Sequence, residues 1–125
     1  VPSTQMRDQN EGVTAFTARM YTQALGRSYD EAGLNDWCGR ILKQGWSPYR
    51  VATEGFFHSQ EFANRNLSDE EFVKVLYQTF LDRGYDEAGL RDWVSRLQNG
   101  ESRDTVIAGF ANSREFANLM AKYGL

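Results

Sequence analysis

Apolar residues recur at intervals of three and four residues along most of the chain, which is the spacing of one face of an α-helix. The clearest example occupies positions i, i+3, i+4 and i+7, at Leu34, Trp37, Cys38 and Ile41. The same spacing returns at Leu90, Trp93, Val94 and Leu97. No stretch alternates polar and apolar residues with the two-residue period of a strand. The pattern therefore predicts an all-α fold.

The helical pattern occurs twice. Residues 16–40 align with residues 72–96, with 13 identical residues in 25 positions, and the string YDEAGL is common to both. Residues 55–64 align with residues 109–118, with 7 identical residues in 10. Internal repetition of this kind indicates one structural unit present in two copies.

The duplication predicts the organisation of the chain. We expect an N-terminal extension or linker over residues 1–12, copy one over residues 13–66 and copy two over residues 67–125. Each copy is a unit of three to four helices, and the two copies pack as one compact helical domain. The offset between the copies falls from 56 to 54 residues, which we interpret as a longer turn in copy one, KQGWSPYR against NGESRD.

Residues that favour helix starts and ends stand at the expected boundaries. Side chains suited to the N-cap precede the second, third and fourth helices of the two copies: Asp30, Asp86, Ser47, Ser102, Ser59 and Ser113. Gly45 and Gly100 stand where a second helix would end in a left-handed residue. Gly33 and Gly89 lie in a first helical turn, where glycine is unfavourable, so we expect another helix to approach closely there.

Calcium binding is the main alternative for the YDEAGL motif, because Asp30, Glu31 and Asp36 supply three carboxylates. An EF-hand loop needs oxygen ligands at alternate positions, a central glycine and a final glutamate. Ala32 and Leu34 interrupt such a series, and a helix begins at once. We therefore interpret the aspartates as caps and the following leucine and tryptophan as core, and we predict no metal ion and no other cofactor.

Charge and hydropathy restrict the partners. The chain carries 14 Lys and Arg against 17 Asp and Glu, a net charge of −3, divided evenly between its two halves. No basic face is indicated, which argues against nucleic acid. No apolar run approaches the roughly 20 residues that span a bilayer. We expect neither a nucleic-acid partner nor a membrane span.

Catalytic residues are hard to identify. The single histidine, His58, corresponds to Asn112 in copy two, and no partner for a general base is evident. The single cysteine, Cys38, stands on an apolar stripe where copy two has Val94, so it is typical of a buried hydrophobe. The chain lacks phosphate-loop, dinucleotide and HExxH patterns. We predict that the chain is not an enzyme.

The shared pattern is long and has many fixed positions. It is F-x-x-x-x-Y-x-x-x-L-x-R-x-x-D-x-x-G-L-x-x-W-x-x-R-L/I, followed by a glycine turn and G-F-x-x-S-x-E-F. It resembles the bacterial repeat called domain of unknown function 4214, from about Val13 to Ala63 and from Phe72 to Gly124. The junction NRNLSDEEFV and the ending EFANLMAKYGL resemble forms from gut and rumen Firmicutes.

This resemblance implies an accessory role. Members of the family commonly lie in large secreted or surface proteins beside repeat, immunoglobulin-like or carbohydrate-active modules. The resemblance carries no catalytic or ligand-binding residues over to this chain. It implies a non-catalytic module of an extracellular or cell-surface protein that binds a polysaccharide, a cell-wall glycan or a protein partner.

Exposed aromatic rings are the expected contacts for a sugar, because a ring covers the apolar face of a pyranose. Trp46 and Tyr49 lie outside the shared stripe and are the first candidates. For Trp46 the alternative, that it folds back onto the third helix, stays open. Tyr29 and Tyr85 could form a second, repeated surface, although packing against their helix starts is the favoured interpretation.

The rival hypothesis is a purely structural spacer, or an anchoring module that recognises a protein. The sequence contains nothing that distinguishes this hypothesis from glycan binding.

Overall fold

The computed structural model describes the backbone of residues 4–122 and the side chains of residues 12–122. This part of the chain forms eight α-helices: α1 (Thr4–Arg19), α2 (Glu31–Leu42), α3 (Pro48–Arg50), α4 (Gln60–Arg65), α5 (Asp69–Leu81), α6 (Glu87–Gln98), α7 (Arg103–Ala111) and α8 (Arg114–Ala121). Two π-helical segments, Met20–Ala24 and Val51–Phe57, extend α1 and α3. No strand occurs among the described residues, so the predicted all-α fold is confirmed.

Each copy contributes four helices in the same order, α1 to α4 and then α5 to α8. Helix α1 already begins at Thr4, so most of the predicted extension over residues 1–12 lies in the first helix. Residues 1–3 of that segment lie outside the described residues, as do residues 123–125 at the end of copy two.

The predicted caps are present. The Asp30 and Asp86 carboxylates accept hydrogen bonds from the backbone N–H groups of Gly33 and Gly89, at 2.8 and 2.9 Å. The serine side chains at the starts of α3, α4, α7 and α8 accept equivalent bonds. Each such bond contributes about 1 kcal/mol to the stability of the helix. Local sequence therefore determines where these helices begin.

The two copies close on each other around one hydrophobic core. Phe62 of α4 packs against Phe72, the first buried ring of copy two, with ring centroids 6.2 Å apart. Its counterpart Phe116 of α8 packs against Phe16, the equivalent ring of copy one, at 5.5 Å. The first helices of the copies also contact each other, as do the third helices. The packing is reciprocal, as in a two-fold dimer, and confirms the prediction of one compact domain.

The tryptophans of the repeat lie at the edge of this core. They were expected inside it, but both indoles are only partly buried, and Arg40 and Arg96 lie over their rings at 4.5 and 4.8 Å. Beneath each indole is a glycine of the third helix. A Cβ atom at Gly55 would lie 2.8 Å from the Trp37 ring, and one at Gly109 would lie 2.6 Å from the Trp93 ring.

Gly33 and Gly89 also allow a close approach, but the neighbour is not the backbone of another helix. It is the hydroxyl of Tyr21 or Tyr77, from the first helix of the same copy. A Cβ atom at Gly33 would lie 2.5 Å from the Tyr21 hydroxyl, and one at Gly89 would lie at least as close to that of Tyr77. The glycine in YDEAGL therefore makes room for a tyrosine hydroxyl beside the capping aspartate.

The two-residue slip between the copies has two separate locations. The interval from Trp37 to the cap Ser47 is one residue longer than that from Trp93 to Ser102. The second extra residue lies inside the third helix, where Val51–Phe57 is π-helical and copy two has regular α-helix. A π-bulge is the usual way for a helix to absorb one inserted residue. The prediction of a longer turn accounted for only half of the slip.

Alanine substitution tests the indole–glycine contact. Gly55→Ala and Gly109→Ala should each lower the free energy of unfolding by about 1–3 kcal/mol, because the new methyl group displaces a packed ring. Gly39→Ala is the control, since a Cβ there meets nothing within 4 Å. Without a clash, alanine in a helix should raise stability by about 0.5–1 kcal/mol. Urea denaturation measures the free energy of unfolding of all three variants. A change in Gly39→Ala equal to that in the other two variants would contradict the indole–glycine contact.

Residue deletions test the π-helix. Deleting Glu54 should leave a regular helix with Gly55 still beneath Trp37, at a cost of about 1 kcal/mol for a lost exposed ion pair. Deleting Ala108 from the regular helix α7 should rotate Phe110 out of the core and cost about 3–5 kcal/mol. Thermal unfolding followed by circular dichroism compares the two. Similar losses of stability from both deletions would show that the third helix of copy one does not contain an inserted residue.

Acid should weaken the attachment of α4 and α8 to the turns that follow the first helices. Arg27 and Arg83 form bidentate pairs with Glu61 and Glu115, the latter at 2.6 and 2.9 Å, and hydrogen bonding lowers the pKa of both glutamates. Because the pKa of each glutamate is lowered in the folded state, the two ion pairs contribute fully to folding stability above the ordinary glutamate pKa, about 4.3. That stabilisation is lost as pH falls below this value.

We therefore expect the double variant Glu61→Gln, Glu115→Gln to show a smaller fall in Tm between pH 6 and pH 3 than the parent chain. Glu101→Gln is the control, because the Glu101 carboxylate makes no ion pair in the described part of the chain. If the Tm of the double variant depends on pH as that of the parent chain does, these ion pairs do not contribute to the loss of stability in acid.

Candidate functional site

Tyr29 and Tyr85 are the most exposed large apolar side chains of the described residues. They are 45% and 40% exposed and occupy equivalent positions, directly before the capping aspartate of each second helix. The expectation that these rings pack against their helix starts is wrong. Each follows a turn in which a left-handed residue, Gly26 or Asp82, directs the chain away from the first helix. The turn leaves the ring outside the core.

A groove lies between the first and second helices of each copy. In copy one it has a volume of about 440 Å³ and is lined by Thr14, Asn35, Cys38, Gly39, Leu42 and Lys43. In copy two the volume is about 320 Å³ and the lining residues are Glu70, Glu87, Leu90, Arg91, Val94, Ser95 and Gln98. Five lining positions correspond at the offset of 56 residues. We call these the copy-one groove and the copy-two groove.

Copy two connects its groove to the exposed tyrosine. The Lys74 ammonium group lies 4.9 Å from the centre of the Tyr85 ring and 3.2 Å from the Glu70 carboxylate, which lines the groove. Hydrogen bonding to Glu70 raises the pKa of Lys74, so the amine is charged across the physiological range. Copy one has Ala18 at the position of Lys74, so Tyr29 lacks this cation.

The linings of the two grooves differ in chemistry. The copy-one groove presents a hydroxyl and an amide, from Thr14 and Asn35, with one cation at its end, Lys43. The copy-two groove presents the carboxylates Glu70 and Glu87 together with Arg91. Both sets can donate and accept hydrogen bonds around an apolar floor. They can therefore hold a polyhydroxylated molecule.

Trp46 is partly buried and belongs to a group of aromatic and cationic side chains found only in copy one. Its ring lies 6.3 Å from that of Trp37, edge to face. The guanidinium groups of Arg40 and Arg50 lie 4.8 and 3.6 Å from its centre. We call Trp37, Arg40, Trp46 and Arg50 the Trp46 cluster. Trp46 packs against Arg50 of the third helix and keeps some exposure, so it is neither fully folded back nor fully exposed.

Tyr49 is a weaker candidate than its position in the turn indicated. Its side chain is partly buried against the core, and its carbonyl accepts a hydrogen bond from the Thr53 hydroxyl at 3.0 Å. The structure does not bring the four predicted residues into one site. Trp46 and Tyr49 stand near the start of α3, and the two exposed tyrosines belong to separate copies.

Titratable groups elsewhere have structural partners. The ring of His58 is exposed and lies 2.7 Å from the Asp104 carboxylate of copy two. Cys38 is buried, with its thiol 3.7 Å from the Thr17 hydroxyl. Burial raises the pKa of Tyr21 and Tyr77, and the Gly89 N–H group lowers that of the capping carboxylate Asp86.

Among the described side chains, no three His, Cys, Asp or Glu residues converge so that they could hold a metal ion. None of the helices formed by the described residues has the length and apolar character needed to cross a membrane.

The lining residues of both grooves were not predicted from the sequence. Thr14, Asn35 and their counterparts Glu70 and Arg91 are exposed or partly buried positions on helices, and each resembles ordinary surface. They could have been found only from their positions on the helices, because they face the gap between the first and second helices in both copies. The role of Arg50 could have been suspected from its spacing, one helical turn before Glu54.

Two segments of the chain, residues 4–65 and residues 53–120, match the family described as Domain of unknown function (DUF4214). Together they cover nearly all of the described residues and overlap in the third and fourth helices of copy one. No curated protein and no solved structure matches the chain. The predicted resemblance is confirmed at the level of the family, and the chain belongs to the DUF4214 family, of which it contains two copies.

Proposed function

We propose that this chain is a non-catalytic accessory module that binds a glycan, with one site in each copy. Each site consists of an exposed tyrosine, Tyr29 or Tyr85, and the groove between the first and second helices. The parent would be a secreted or cell-surface bacterial protein, and this part of the proposal rests on the family resemblance described above.

One observation carries the proposal: an exposed tyrosine occupies the same position in both copies, directly before the second helix that lines the groove. An exposed tyrosine offers an apolar face with little loss of side-chain entropy, and its hydroxyl can bond to a sugar. A solvated aromatic ring has no role in the shared core. Its presence at both equivalent positions favours a surface function.

The grooves supply the polar contacts that a ring alone lacks. Sugar hydroxyls need donors and acceptors in fixed positions, and side chains on packed helices provide them with little reorganisation. In copy two, Glu70 is held by Lys74, and Glu87 lies 3.9 Å from Arg91. The Lys74 pair orients the Glu70 carboxylate before any ligand arrives.

The absence of catalysis is part of the same proposal. Every shifted pKa among the described groups is explained by a helix cap, an ion pair or the burial of a tyrosine ring. Catalytic acids and bases usually have pKa values moved toward neutrality. The lowered values of Glu61 and Glu115 are shifted in the opposite direction.

A structural spacer is the second candidate function. It is favoured by the reciprocal packing of the copies, because two units that share one core form a rigid body of fixed length. A spacer does not require exposed rings beside grooves, which is why we place it second.

Affinity electrophoresis against a panel of neutral polysaccharides tests glycan binding. We expect at least one polysaccharide to retard the chain, and Tyr29→Ala or Tyr85→Ala to weaken binding about tenfold, by loss of ring stacking. The double variant should migrate as in a gel without polysaccharide, because both sites contribute to avidity on a polymer.

Two controls separate stacking from folding. Tyr29→Phe and Tyr85→Phe keep the ring and should retain most of the binding. Trp46→Ala should leave the retardation by neutral polysaccharides unchanged. Full retardation of the double alanine variant would refute the tyrosine sites, and free migration of the parent chain in every gel would favour the spacer.

A further inference from the structure

The Trp46 cluster is not used by the sites proposed above, and it has no complete counterpart in copy two. Both extra residues of copy one lie beside it, one between Trp37 and Ser47 and one in the π-helical segment Val51–Phe57. Copy two retains only half of the arrangement. Arg96 lies 4.8 Å from the centre of the Trp93 ring and pairs with Asp92, but no second arginine or tryptophan joins them.

Each arginine of the cluster is held in place from one side. The Arg40 Nε atom donates to Asp36 at 3.2 Å, and the Arg50 Nε atom donates to Glu54 at 2.6 Å. Both carboxylates belong to the arginine's own helical stretch, four residues away. Within the described part of the chain, the terminal nitrogens of Arg40 and Arg50 donate no hydrogen bond to protein. Four N–H-bearing nitrogens therefore remain available at one place on the surface.

Stacking determines what these nitrogens can bind. A guanidinium group against an indole is desolvated on its face, while its N–H edges stay directed into solvent. The planar fork of these edges matches carboxylate, sulfate and phosphate oxygens. The side chain of Arg50 is about half exposed, at 53%, so a ligand can reach it.

Two cations close to one ring also favour an anion. The guanidinium carbons of Arg40 and Arg50 lie 4.8 and 3.6 Å from the centre of the Trp46 ring. The two carbons therefore cannot be farther apart than the sum of these two distances. Like charges this close repel each other, and Asp36 and Glu54 offset the repulsion only in part. An acidic group bound between the two terminal edges would offset it further.

We propose that the Trp46 cluster is a second ligand site, present only in copy one, that binds the acidic group of a charged polysaccharide. The acidic group is a carboxylate or a sulfate, held by the terminal nitrogens of Arg40 and Arg50. Trp46 positions both guanidinium groups and offers the uncovered part of its ring to the sugar. The net charge of −3 opposes long-range attraction of a polyanion, so recognition depends on this local pair.

Binding to three defined polymers tests this inference on the whole chain: dextran sulfate, polygalacturonate and uncharged dextran. We expect dextran sulfate or polygalacturonate to bind, with affinity falling as salt is raised from 50 to 300 mM, because salt screens charge pairing. Arg40→Gln and Arg50→Gln should each raise the Kd at least about tenfold, as expected for loss of a charge-assisted hydrogen bond.

Copy two provides the matched control. Arg96→Gln removes an equivalent stacked arginine, so it should change Tm as Arg40→Gln does and leave the Kd for the charged polymers unaltered. Trp46→Phe should keep part of the binding, since phenylalanine also stacks on guanidinium. If neither charged polymer binds, or if Arg96→Gln weakens binding as much as Arg40→Gln, the cluster is a structural contact only.

These results are independent of the tyrosine sites. Loss of neutral-polysaccharide binding in the Tyr29 and Tyr85 variants, with binding to charged polymers intact, would separate the two surfaces. Charged polymers that need the tyrosines and not the arginines would overturn the inference while supporting the proposed function.

Discussion

The contact between an indole and a glycine holds the second and third helices of each copy together, and other features of the unit follow from it. Trp37 can lie on the π-helical segment Val51–Phe57 only because Gly55 has no side chain, and Trp93 requires the same of Gly109 in α7. The contact explains why the third helix of copy one continues as the π-helical segment Val51–Phe57. With an extra residue in a regular helix, Gly55 would rotate away from the ring, and the wider turn keeps it in place.

The same contact accounts for the arginines on the outer faces of the indoles. An indole seated on a helix surface keeps one side toward solvent, and Arg40 or Arg96 covers that side while its charge stays hydrated. In copy one Trp46, from the turn before α3, and Arg50, from α3 itself, join this position. A structural contact common to both copies has thus become, in one of them, a cluster with free hydrogen-bond donors.

Reciprocal packing of Phe62 on Phe72 and of Phe116 on Phe16 makes the pair of copies one rigid body. Surfaces built on such a body keep fixed positions, which suits binding to a polymer with regularly spaced sugars. The two grooves occupy equivalent places but differ in lining, and only copy two has Lys74 beside its tyrosine. Duplication therefore gave two grooves at equivalent positions, and sequence divergence gave their linings different chemistry.

The sequence alone determined the helices, their starting residues and the duplication, because these depend on neighbours along the chain. Asp30 and Ser59 cap helices whatever packs around them. Tertiary structure decided which side chains between the helix starts are buried, which are exposed and which line a groove. The partial burial of Trp37, the exposure of Tyr29 and the grooves depend on how helices cross. The division of the two-residue slip was equally hidden, because the effect of the second inserted residue depends on Gly55 staying beneath the Trp37 ring.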